Sequence, residues 1–135
     1  MKFEDKYFAQ FRFSGEQIEK NPNNAIKDLE IAKTVNILDV KFNYAYVALI
    51  KAGIALLSFH RVRIKSVPGH QVKIIEKTAQ VLGDGSIEAL GNVMRQKRNL
   101  DFYAGGIEVT EKECRDYVAF VDNALKKVTA AIRID

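Results

Sequence analysis

FNYAYVALIKAGIALLSFH, residues 42–60, is the stretch on which the fold turns. It is apolar and long enough to span a bilayer, yet Lys51 stands at its middle and Asn43 near one end. A charge at mid-membrane costs roughly 2.5–3.5 kcal/mol even on lenient scales. The segment therefore reads as a buried helix of a soluble protein. Asp39 can cap it, and it runs to about Arg61. Its main stripe is Phe42, Ala45, Tyr46, Leu49, Gly53 and Leu56, while Val47 and Ile54 lie opposite, beside Lys51. A helix apolar on two faces must be buried on two faces. One can be the domain's own core, and the other suggests a partner subunit.

Helical period continues on both sides. Phe3, Tyr7, Phe8 and Phe11 predict a short first helix that stops near Ser14-Gly15. Pro22 offers a first-turn proline for a second helix to about Asn36, with Ile26, Leu29, Ala32 and Val35 on one side. VRIKSVPGHQ (62–71) reads as a connection, with Pro68 opening a fourth helix that ends at Gly83-Asp84-Gly85. Ser86 caps a fifth, which Ala104-Gly105-Gly106 breaks, and Thr110 with Glu113 forms a capping box for the last. That helix has the cleanest stripe: Cys114, Val118, Val121, Leu125, Val128, Ile132. No strand-like run is bounded by a hairpin signal. The expectation is one domain, 1–135, an all-α up-and-down bundle of four to five main helices plus a short N-terminal helix.

Composition narrows the function classes. With 135 residues, 47% hydrophobic and 28% charged, the chain suits a single globular domain. A net charge of +4 mildly favours an anionic partner. One cysteine, Cys114, excludes an internal disulfide, fits a reducing cytoplasm and falls on a core stripe. No CxxC or His/Cys cluster, GxGxxG, GxxxxGK[ST] or GxSxG is present, so neither a metal nor a cofactor is expected. MKFEDKYFAQF has acidic residues where a signal peptide needs an apolar run. A cytoplasmic protein with no membrane partner is the expectation.

The chemistry concentrates in MRQKRNLDFYAGG, residues 94–106. On a wheel at 100° per residue, Ile87, Leu90, Gly91, Met94, Arg98, Asp101 and Phe102 fall within about 60° of one line. Arg98 thus occupies the centre of a packing face. An unpaired buried guanidinium costs several kcal/mol, so Arg98 either pairs with Asp101 inside the core or faces an anion such as phosphate where the stripe ends at a cleft. A second basic cluster comprises Arg61, Arg63, Lys65, Lys73 and Lys77, with His60 and His70. A bundle connection can bring His70 and Lys73 near the end of the helix bearing Arg95 and Arg98.

The order Asn43-Tyr44-Ala45-Tyr46, Lys51-Ala52, Leu56-Leu57, Pro68-Gly69-His70 and Arg98-Asn99-Leu100-Asp101-Phe102-Tyr103 resembles the HEPN superfamily (higher eukaryote and prokaryote nucleotide-binding domains) over about residues 20 to 130. The resemblance implies a dimer in which two arginine motifs face one another across a cleft. Many such domains are ribonucleases, often toxins of toxin–antitoxin systems, and others pair with a minimal nucleotidyltransferase. Arg98 and Asn99 match the first two positions of the family's Arg–polar–spacer–His motif, and Tyr103 stands where histidine belongs. A phenol with a pKa near 10 is a poor general base at neutral pH. The departure favours binding of a nucleotide or RNA through Arg98, Asp101, His70, Lys73 and Arg95. Metal-independent ribonuclease activity using Arg98, Asn99 and Tyr103 is the alternative. A structural or interaction bundle is the third reading.

Overall fold

The apolar segment is the central helix of the bundle. The computed structural model describes residues 2–104 and 108–133, and the side chains of all of these but 101–104. Its elements in order are β1 (Phe8–Gln10), α1 (Gly15–Thr34), α2 (Leu38–Phe59), β2 (Val62–Ile64), α3 (His70–Leu82), α4 (Gly85–Ala104) and α5 (Glu111–Ile132). Five helices and a two-stranded ribbon make an all-α bundle, as the periodicity predicts.

Helix α2 packs against α1, α5, α3, α4 and β2. The expected stripe is buried, and Ala48, Ala52, Ala55 and Leu57 are buried with it. The opposite face is covered in part by the chain itself. Ile50 and Ile54 lean on a second, smaller core formed by Phe8, Leu57, Val62 and Ile74. Lys51 Nζ stands 2.6 Å from Asp28 Oδ2 of α1, an ionic contact without hydrogen-bond alignment. Val47, on the same face, stays half-buried. Among the described helices α2 alone is long and apolar enough to cross a membrane, and 61% of its most apolar window lies inside the bundle.

Several local expectations change. The aromatic N-terminus is a hydrogen-bonded turn over 5–7 leading into a short strand, rather than a helix. Phe8, Ala9 and Gln10 pair antiparallel with Ile64, Arg63 and Val62, so part of the expected 62–71 connection is strand. Aromatic and β-branched residues on the two segments suit a pleated, half-buried surface, and Phe8 seats in the second core. Ser14 does not end a helix but starts one. Its side chain accepts from Gln17 N while the Gln17 side chain accepts from Ser14 N, leaving Pro22 inside α1 at the loss of one backbone bond. Asp39 does not cap α2: Ile37 holds that position and Asp39 lies in the first turn, where a carboxylate still complements the helix dipole.

The last helix follows expectation. Thr110 and Glu113 exchange both capping-box bonds at 3.0 Å, and Cys114, Val118, Val121, Leu125 and Val128 are buried. The cap of α4 is Asp84 rather than Ser86: Asp84 Oδ1 accepts from the Ser86 amide at 3.0 Å and hydroxyl at 2.6 Å, and its other oxygen pairs with Lys127 of α5. The Lys127 ammonium, with Ser86, lowers the Asp84 pKa from 3.8 to about 2. A carboxylate whose pKa falls on folding stabilises the fold above its unfolded value, and that stability disappears as the pH drops toward the folded one. Asp84 is thus expected to confer stability that is lost between about pH 4 and pH 2. Urea midpoints of Asp84→Asn should vary less across that window than those of the wild type.

Candidate anion-binding site

Along α4, Ile87, Gly91 and Met94 are buried, whereas Leu90, expected on the same face, sits at its edge and is 38% exposed. Arg98 comes next on the buried line, where α4 passes the start of α3, and it is half-buried. The two helices leave an open pocket of about 370 Å³ lined by Ser66, Val67, Pro68, Gly69, His70, Gln71, Val72, Arg95, Arg98 and Asn99. That volume lies at the small end of the range for ligand pockets.

The lining sets donors among the apolar groups of Val67, Pro68 and Val72. The Arg98 guanidinium lies 5.6 Å from the centroid of the Tyr46 ring, and its Nε is buried with no hydrogen-bond partner among the described residues. Arg95 Nε donates to Asn92 Oδ1 at 3.2 Å, which steadies the stem and leaves its terminal nitrogens available. Among the described residues no carboxylate lines the pocket, and neither arginine has one within ion-pair distance.

Helix α3 supplies more donors through what its N-terminus lacks. Gly69, in the left-handed region at φ 83°, is the N-cap and offers no side chain. His70 N bonds Val67 O, but the amides of Gln71 and Val72 have no acceptor among the described residues. Exposed amides at a helix start favour an anion. His70 Nδ1 lies 2.9 Å from Val67 O. Because a carbonyl can only accept, Nδ1 carries the proton and Nε2 keeps its lone pair when the ring is neutral.

Beneath the arginines, Tyr46 is buried and its hydroxyl donates to Gln71 Oε1 at 2.6 Å. Burial pushes the phenol up to about 12, against the opposing pull of Arg98 and Arg95. It stays protonated, engages the Gln71 carbonyl and leaves the Gln71 amide nitrogen as another donor. Sequence reasoning passed over Tyr46, Gln71 and the α3 amides. The dipeptide Pro68-Gly69 ahead of the helix was the available signal, since neither residue can cap with a side chain.

The structure thus brings together four of the expected residues, Arg95, Arg98, Asn99 and His70. It does not bring Lys73. That ammonium pairs with Glu4 at 3.3 Å and Glu76 at 3.0 Å and is not among the lining residues. Lys77 is likewise taken, nearly buried against Glu4 at 2.9 Å and holding the N-terminal segment on α3. The side chains of Asp101 and Tyr103 lie outside the described residues, so the Arg98–Asp101 pair and the tyrosine position are not placed. No group of three or more possible metal ligands occurs among the described residues. In comparison with known proteins, the chain matches no family model, no curated protein and no solved structure.

Proposed function

We propose that the protein is a HEPN-like module of the cytoplasm that binds the phosphate of a nucleotide or RNA in the Arg98 pocket. The observation that carries this reading is convergence: two guanidiniums, His70 and two amides without an acceptor line one open pocket that, among the described residues, no carboxylate enters. A dimer would draw on the α4 surface, where Leu90, Val93 and Leu100 stay exposed. A minimal nucleotidyltransferase remains the partner that the family resemblance suggests.

A second reading, metal-independent ribonuclease, is favoured by the His70 tautomer. Tyr103 would be a weak base, but His70 Nε2 shares the pocket with Arg98 and can take a proton from an attacking 2′-hydroxyl. Attack on the adjacent phosphate forms a 2′,3′-cyclic phosphate and releases the 5′-oxygen, while Arg98 holds the phosphate oxygens.

One experiment addresses both. Titration with ATP and with single-stranded RNA should give binding at low salt that weakens at moderate salt. Absence of binding to both at low salt would leave the structural reading in front. RNA ends bearing 2′,3′-cyclic phosphate, lost in His70→Ala, would move the assignment from binding module to nuclease.

A further inference from the structure

A second basic surface lies at the β1–β2 ribbon. Phe3, Gln10, Phe11, Arg12, His60, Arg61 and Val62 line a groove of about 690 Å³. Phe11 is 39% exposed, has the edge of Phe13 against it at 4.7 Å, and lies under the Arg63 guanidinium at 5.3 Å. Arg12, Arg61 and Arg63 have no carboxylate within ion-pair distance among the described residues, unlike Arg115, which pairs with Glu111 at 3.7 Å.

Arg61 adds an independent feature. It follows the end of α2 in the left-handed region, φ 61°, the only described non-glycine residue with positive φ. That position after a helix ordinarily takes glycine, and arginine is strained there. Its carbonyl accepts from Phe11 N at 2.9 Å, which fixes the strained turn to the aromatic strand.

An exposed aromatic ring beside arginines free of carboxylates is the chemistry of single-stranded nucleic acid recognition, in which bases stack and guanidiniums meet phosphates. We propose that this groove binds an unpaired stretch of polynucleotide, with a base stacked on Phe11 or on the Arg63 guanidinium plane, and phosphates held by Arg12 and Arg61. It does not depend on the Arg98 pocket. Because Val62 and Ser66 are four residues apart, their Cα atoms are at most about 14 Å from one another, close enough for one strand to touch both sites.

The test is fluorescence anisotropy with a labelled twelve-nucleotide single-stranded RNA and a blunt duplex of the same sequence. Wild type should prefer the single strand. Phe11→Ala should weaken binding about tenfold, and Phe11→Trp should retain it. Arg61→Gly should keep or raise the melting temperature while weakening binding and lowering the salt slope by about 0.7. Arg98→Ala, run alongside, separates loss at the pocket from loss at the groove. Equal affinity for the duplex, or unchanged single-strand affinity in both Phe11→Ala and Arg61→Gly, would overturn the proposal.

Discussion

Gly53→Ala is expected to lower stability by about 2 kcal/mol, roughly 5–10 °C in melting temperature for a domain of this size. Gly53 lies where α2 crosses α3. A Cβ there would sit 2.5 Å from Thr78 Oγ1 and 2.6 Å from Ile74 Cγ2. Neither neighbour yields easily. Thr78 and Ile74 are buried and β-branched, and the Thr78 hydroxyl is committed to the Ile74 carbonyl at 2.7 Å. Against this stands the intrinsic gain from replacing a helical glycine with alanine, about 1 kcal/mol, so the steric cost must exceed it for the net loss to appear. Gly15→Ala is the control, because a Cβ at that position meets nothing within 4 Å. Thermal melts in which Gly53→Ala matches or exceeds wild type would show that α3 shifts at little cost, and that the close approach does not hold the bundle together.

The helices themselves were legible because burial has a period. The α5 stripe from Cys114 to Val128 and its Thr110–Glu113 cap emerge where the spacing puts them. Misreadings arose where two signals overlapped. Phe3, Tyr7, Phe8 and Phe11 satisfy a helical spacing, but aromatics also suit strand, and the pairing of Phe8–Gln10 with Val62–Ile64 decided between them. The Ser14-Gly15 stop was the first turn of α1, since Ser14 with Gln17 is a capping box and a proline eight residues on is tolerated within the helix. The apolar surplus of α2 was read as an interface. Part of that surplus, at Ile50 and Ile54, is covered by the chain's own second core, and a single sequence does not show which of several apolar stripes will cover another.

The site was half legible for a related reason. Arg98 stood out because it breaks an apolar stripe, and one helical wheel suffices to find it. Partners from another element cannot be read from that wheel. His70 and Lys73 looked equivalent in the 61–77 cluster, yet one faces the pocket and the other is neutralised by Glu4 from the distant N-terminus. Backbone amides carry no residue signature at all. Gln71 and Val72 become donors only because Pro68 and Gly69 leave the helix start uncapped.

Arg98→Ala should leave the fold nearly intact and abolish binding of ATP and of RNA to the pocket. Two costs to stability can be weighed. A guanidinium sealed in a buried ion pair would, when removed, strand its carboxylate and cost about 3–5 kcal/mol. Arg98 is instead half-buried at the wall of an open pocket, against the ring of Tyr46. Losing a partly solvated cation–π contact costs about 1 kcal/mol or less. Binding should suffer far more, because Arg98 offers phosphate one of only two planar forks among the described lining residues, the other being that of Arg95, whose Nε is engaged by Asn92. Arg98→Lys sharpens the contrast, since it keeps the positive charge and loses the fork, so binding should fall while melting stays near wild type. Calorimetric titration and thermal melts of the three proteins give the answer together. A variant that melts far below wild type while its folded fraction binds ATP and RNA normally would return Arg98 to the scaffold and leave the pocket without its anion.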